Sequence, residues 1–112
     1  MSFEVLLTRD AGRDLEEIYN YIAEHDMPAR ADHVLEKIQQ VFTGLSEFPQ
    51  QGAFPKELLK IGIREYREIF FKPYRIIYRI INSRVYVMLI VDGRRDIQAV
   101  LQRRLLQDAQ FR

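Results

Sequence analysis

Between Ile63 and Asp96 the chain reads IREYREIFFKPYRIIYRIINSRVYVMLIVDGRRD. The punctuation of this stretch decides the fold. Three β-rich runs are separated by two short breaks, Lys72-Pro73 and Asn82-Ser83. Proline has a fixed φ and no ladder donor, so it belongs in a connection. Asparagine accepts turn geometry, so the second break reads as a tight hairpin loop. The expectation is an antiparallel meander over 63–71, 74–81 and 84–91. The last run, Val85 to Val91, is apolar throughout, which calls for an interior strand covered on both faces. In the middle run Tyr74, Ile76, Tyr78 and Ile80 share one face, the better core face. Arg75, Ile77, Arg79 and Ile81 share the other, which is expected to be partly covered.

Upstream, FEVLL from Phe3 to Leu7 is a short strand candidate, and Thr8 or Asp10 is positioned to cap the helix that follows. Ala11, Leu15, Ile18, Tyr19 and Ile22 recur at helical spacing. Asp14 and Glu17 stand beside Arg9 and Arg13, where surface pairs would contribute little. Pro28 suits the first turn of a second helix, whose apolar face runs from Ala31 through Val34, Leu35, Ile38, Val41 and Phe42 to Leu45. The short connection makes the two helices an antiparallel hairpin. Phe48-Pro49 and Gly52 mark a loop, Ala53 to Lys60 stays open between strand edge, loop and helical turn, and Gly62 marks a bend. Downstream, Ile97, Val100, Leu101, Arg104 and Leu105 predict a last amphipathic helix over 97–107, with Phe111 as tether or loose end. The order is β-α-α-β-β-β-α: an α+β chain with a small mixed, mainly antiparallel sheet, an N-terminal helical hairpin and a C-terminal helix. The helical hairpin supplies the crossover that brings the first strand to the sheet.

At 112 residues the chain is expected to be a single domain, 1–112. It has no cysteine, which removes disulfide, thiolate and cysteine–zinc chemistry and fits a cytoplasmic setting. No apolar run reaches membrane-spanning length, and the N-terminus lacks the pattern of a signal peptide. A net charge of +1 hides a division: residues 1–55 carry 4 basic and 10 acidic side chains, residues 56–112 carry 13 and 6. That polarity points to an acidic partner for the second half, or to neutralisation of one half by the other.

The five glycines are isolated and form no phosphate loop. His25 and His33 have no convincing ligand set, so no metal and no cofactor are expected. The arginines are the stronger signal: Arg64, Arg67, Arg75, Arg79, Arg94 and Arg95 crowd the meander and its end. Guanidinium groups clamp phosphates and carboxylates bidentately. For a general base Glu65, Glu68 and Asp92 are the candidates, but each is more simply an arginine partner, and neutral-pH arginine and lysine are protonated. Arg67 and Arg75 are read as candidate structural anchors. Tyr66, Tyr74 and Tyr78 have the ring chemistry to stack bases, though their spacing suits half-buried strand residues more simply.

Taken together, LLTRDAGRDLEEIYNYI (Leu6 to Ile22), FPQQG (Phe48 to Gly52), YREIFFKPYRIIYRI (Tyr66 to Ile80) and VDGRRD (Val91 to Asp96) resemble the RelE/ParE superfamily of toxins from type II toxin–antitoxin systems, and its ParE branch most. The resemblance implies a toxin, often associated with plasmid stabilisation, that is neutralised by a cognate antitoxin wrapping its surface. It implies a toxin–antitoxin hetero-oligomer that reaches operator DNA mainly through the antitoxin. ParE-like members inhibit DNA gyrase, whereas RelE-like members cleave messenger RNA on the ribosome. The ParE reading implies a non-enzymatic inhibitor with partner contacts or supports at Arg75, Arg79, Arg94, Arg95, Arg103 and Arg104. The RelE alternative would use Lys56, Lys60, Arg64, Arg79 and Arg95 as catalysts or clamps. RelE-like members usually carry a tyrosine after the GRR-like turn, where this chain has Asp96, Ile97, Gln98 and Ala99. ParE-like members often carry histidine where this chain has Asp92. A degenerate, non-toxic member that only binds an antitoxin is the third alternative.

Overall fold

The structure, a computed structural model, describes residues 2–106. Strand β1 (Glu4–Leu7) leads into helix α1 (Arg9–His25) and helix α2 (Pro28–Thr43), which a 3₁₀ turn (Gly44–Ser46) closes. A four-residue helix, α3 (Lys56–Leu59), precedes the meander of β2 (Arg67–Phe71), β3 (Tyr74–Ile81) and β4 (Arg84–Asp92). Helix α4 (Ile97–Leu101) follows and widens into a π-helical turn (Gln102–Leu106). The expected order of elements is present. Gln107 and Phe111 lie outside the described residues.

The sheet order is β1-β4-β3-β2, with β1 parallel to β4 and the other pairs antiparallel. The apolar run is therefore an interior strand. One face packs on the helical hairpin through Ala11, Leu15, Val34, Ile38 and Phe42. Ile76, Tyr78, Val85, Val87 and Ile90 meet them from the sheet. The other face carries a second core, in which Ile77, Met88, Leu89 and Val91 lie against Leu58, Tyr66, Ile97, Val100, Leu101 and Leu105. Burying both faces removes Ile76 and Ile77 wholly from water, each burial stabilising by about 1.5–3 kcal/mol.

A β-bulge reconciles β4 with these two cores. Ile77 pairs with Leu89, yet Tyr78 pairs with Val87, so Met88 is the additional residue. The alternation resets there: Val85 and Val87 face the hairpin, Met88 and Leu89 both face the second core, and Ile90 faces the hairpin again.

Local chemistry explains the element ends. Thr8, not Asp10, caps α1: its hydroxyl accepts from the Ala11 N–H at 3.1 Å and donates to the Val87 carbonyl at 3.2 Å. Pro28 occupies the first turn of α2. Asn82 takes a left-handed φ of 57° in the second hairpin loop, as that loop requires. Gly62, at φ 79°, ends the α3 turn, and the Ile63 N–H returns to the Leu58 carbonyl at 2.9 Å.

The open segment 53–60 resolves into a bridge from Ala53 to Glu68 and the α3 turn. β2 begins at Arg67, four residues later than expected from Ile63. Residues 63–66 instead stay outside the strand: Ile63 packs against the second core, and Tyr66, 3% exposed, belongs to it.

Candidate functional site

The meander arginines divide into three environments. Arg75 is internal. Its Nη1 and Nη2 form a fork with the Glu57 carboxylate at 2.9 and 2.8 Å, and its Nε donates to Glu68 at 2.8 Å. Arg75 and Glu68 are both 8% exposed. The guanidinium thus ties α3 to β2 and β3. The two carboxylates respond oppositely. The charge-assisted bonds from Arg75 lower the Glu57 pKa to about 2, whereas burial raises that of Glu68 despite the same arginine. Both glutamates hold Arg75 charged. This is the anchoring role considered for Arg75.

The second environment is the end of β4. Asp92 accepts from the Arg94 N–H at 2.9 Å, from its Nε at 2.9 Å and from its Nη2 at 2.6 Å. Arg94 is thereby folded over the turn, and its hydrogen bonds lower the Asp92 pKa. The Arg94 side chain is 77% exposed, so the pair shapes the turn and contributes little stability. Arg95 and Arg103 are exposed, and neither forms an ion pair among the described residues.

β1 accompanies β4 only as far as Val87, so beyond that residue β4 has an outer edge with no strand beside it among the described residues. Asp14 and Arg104 close part of this edge. Asp14 accepts from the Ile90 N–H at 3.1 Å, Arg104 donates to the Met88 carbonyl at 3.2 Å, and the two side chains join at 2.9 and 3.1 Å. The spacing allowed Asp14 to pair with Arg9 or Arg13 only in some geometries; its partner instead is 90 residues away, because α1 points Asp14 at the bulged strand. Past this clamp a groove of about 510 Å³ runs along Leu89–Asp92, between Ile18, Tyr21 and Ile22 of α1 and Val100 and Arg103. Tyr21 is 64% exposed there, and burial raises the pKa of Tyr74 on the groove wall.

The third environment lies away from the turn. Arg64, Arg67 and Arg79 line a hollow of about 370 Å³ with Gln50, Phe54 and Glu65. Arg67 stacks over the Phe54 ring at 4.5 Å and donates to the carbonyls of Gly52 at 2.8 Å and Gln50 at 3.3 Å. Arg79 lies over the Tyr66 ring at 5.7 Å. The adjacent loop is held by Tyr78, whose hydroxyl donates to the Pro49 carbonyl at 2.6 Å and accepts from the Gly52 N–H at 3.0 Å.

Arg94, Arg95, Arg103 and Arg104 thus line one groove, Arg79 lines a separate hollow and Arg75 is internal. Of Lys56, Lys60, Arg64, Arg79 and Arg95, only Arg64 and Arg79 line the same hollow; Arg95 borders the β4 groove, and the two lysines are exposed. Position 96 is occupied by the α4 cap, where the Asp96 carboxylate accepts from the Ala99 N–H at 3.3 Å. Glu57 is an organising residue that sequence patterning passed over, and Asp14 is one whose long-range role it did not show. His25 stacks on Tyr21 at 4.2 Å and bonds the Tyr21 carbonyl at 2.9 Å. Among the described residues no group of three His, Asp or Glu side chains comes together to hold a metal, and no helix is long and apolar enough to cross a membrane.

Residues 5–97 match the family model described as ParE toxin of the type II toxin–antitoxin system parDE. The chain is 31% identical over 97 residues to Toxin ParE3 of Caulobacter vibrioides, covering 87% of this chain and 93% of that protein. Among solved structures, it resembles a chain from the chromosomal ParDE toxin–antitoxin system of P. aeruginosa with a TM-score of 0.69 at 19% identity, covering 81% of this chain and 96% of that one. It resembles a chain of the toxin–antitoxin complex RelBE2 from Mycobacterium tuberculosis with a TM-score of 0.57 at 21% identity, covering 82% and 92%. At these identities the structural likenesses establish a shared fold.

Proposed function

The chain belongs to the ParE family of type II toxin–antitoxin toxins, and from that premise we propose that it inhibits DNA gyrase by binding and is neutralised by a cognate antitoxin. The observation that carries gyrase over the ribosome is the dispersal of the nuclease candidates. Arg64 and Arg79 line one hollow, Arg95 another, and Asp96 caps a helix where a RelE-like toxin would present a tyrosine nearby. RNA cleavage by 2′-hydroxyl attack needs a base, an acid and clamps around one phosphate. In this reading Arg94, Arg95 and Arg103 are gyrase contacts, Arg79 is an additional contact, and Arg75 and Arg104 support the surface from within.

The antitoxin occupies the groove beside β4. An extended segment there gains main-chain pairing on an edge without a neighbouring strand and buries Tyr21. The assembly is a cytoplasmic toxin–antitoxin hetero-oligomer whose operator contacts come mainly from the antitoxin. The discriminating experiment runs a gyrase supercoiling reaction beside a translating-ribosome cleavage assay. Inhibited supercoiling with intact messenger supports the proposal. Codon-dependent cleavage supports the RelE alternative, and silence in both with tight antitoxin binding supports a degenerate member.

A further inference from the structure

Several arginines of this fold are neutralised, Arg75 by two glutamates, Arg84 by Glu4, Arg94 by Asp92 and Arg104 by Asp14, whereas Arg95 and Arg103 stand singly at the β4 groove. The hollow at Arg64, Arg67 and Arg79 is different. Three guanidinium groups face one carboxylate, Glu65, and none of the three forms an ion pair with it or with any other described residue. We propose that this hollow is a phosphodiester-binding site through which the toxin itself holds the backbone of duplex DNA.

The geometry is prepared for an anion. Arg67 is fixed in orientation by two carbonyls and the Phe54 ring, and Arg79 rests on a Tyr66 ring anchored in the second core. Arg67 spends only its Nη1 on these carbonyls, so its other N–H donors remain available to a ligand, and a side chain already held costs little to order at binding. The alternative anionic partner, an acidic peptide, meets a strand edge already bridged at Glu68 beside the hollow. β3 is interior, and Ala53 already takes both outward groups of Glu68 on β2, at 3.2 and 2.8 Å. Side-chain forks without a strand edge suit successive phosphates, whose oxygens match the fork. The choice of DNA over RNA rests on the gyrase reading; the chemistry of the hollow requires only phosphodiesters.

The test is fluorescence anisotropy of a labelled DNA duplex with the purified full chain over a series of NaCl concentrations, with no gyrase present. Wild-type protein gives a slope of log Kobs against log[NaCl] of about −2 to −3, for up to three phosphate contacts. Arg64→Gln with Arg79→Gln removes about two units of slope, Arg64→Gln alone removes about one, and Arg64→Lys with Arg79→Lys restores it. Lys72→Gln, at an exposed cation in the β2–β3 turn, leaves it unchanged, and Arg94→Gln with Arg95→Gln is measured beside it as the competing cationic site. A double glutamine variant with the wild-type slope, or a slope carried by Arg94 and Arg95, overturns the proposal. So does the absence of DNA binding at low salt. Two control arms use single-stranded RNA and polyglutamate; binding to either of these but not to duplex DNA would also overturn it. Because the readout contains no gyrase, failure of this site and failure of the gyrase reading are separate results.

Discussion

Replacing Arg75 with alanine is expected to be among the most damaging single changes in this chain. The substitution leaves Glu68, 8% exposed, and Glu57, with a side chain 17% exposed, facing each other without their shared cation. Breaking a buried ion pair from one side costs about 3–5 kcal/mol, mostly the penalty of stranding charge. A chain of this size has a total stability of roughly 6–17 kcal/mol at about 0.05–0.15 kcal/mol per residue. The loss therefore takes a substantial part of it. With a urea dependence of ~1.5 kcal/mol per molar, the midpoint falls by about 2–3 M.

Two further signatures identify the cause. First, a variant with Arg75→Met, Glu57→Leu and Glu68→Leu recovers to within about 1 kcal/mol of wild type, since no charge remains to be desolvated. Second, the single variant improves relative to wild type as pH falls. Without Arg75 the folded-state pKa of each carboxylate is raised by burial, so its penalty is present above the unfolded value and is relieved by protonation. A loss under about 1 kcal/mol for Arg75→Ala, or a triple variant no more stable than the single one, would refute the role assigned to this arginine.

Further outcomes follow from the same structure. Glu57→Gln is expected to cost about 1–2 kcal/mol at neutral pH, after discounting for partial hydration of the carboxylate. Glu57 titrates at about 2 when folded and ordinarily at 4.5, so its contribution is complete above pH 4.5 and vanishes as pH falls through 2. Urea titrations across that window check this, and a gap between the proteins that widens on acidification contradicts it. Asp14→Ala is expected to cost about 1–3 kcal/mol, because it leaves the Ile90 N–H without its acceptor and removes the carboxylate fork from Arg104, which keeps its bond to the Met88 carbonyl. Hydrogen exchange of Ile90 and of the turn after α4 should rise with it; unchanged protection would count against the clamp. Gly52→Ala places a Cβ 2.6 Å from both the Glu68 carbonyl and the Tyr78 hydroxyl, and the required shift should cost about 1–3 kcal/mol by thermal denaturation.

The meander was legible because its breaks carry chemical markers: Pro73 has no ladder donor, and Asn82 takes the left-handed turn. The two faces of β3 were legible from strict alternation, and the interior place of β4 from its lack of a polar face. That same uniformity concealed the bulge. In a run from Val85 to Val91 with no polar residue, a one-residue slip at Met88 leaves no trace in the pattern. α3 was ambiguous because four residues give too little periodicity, and its stability comes from Leu58 in the second core and Glu57 on Arg75. The late start of β2 reflects Tyr66 and Ile63 serving the second core, which strand propensity alone does not encode. The concentration of arginines was visible, but their division was not. Whether an arginine is an internal strut or a surface contact depends on carboxylates far away in sequence, as Asp14 with Arg104 illustrates.

The most direct measurement is the titration of purified protein, alone and with excess antitoxin, into a gyrase supercoiling reaction, with messenger integrity followed in a parallel translation reaction. Gyrase inhibition by this toxin gives loss of supercoiling, relief by antitoxin, intact messenger, and weakened inhibition by Arg94→Glu with Arg95→Glu at unchanged thermal stability. Undiminished supercoiling together with codon-dependent cleavage of the messenger would contradict it.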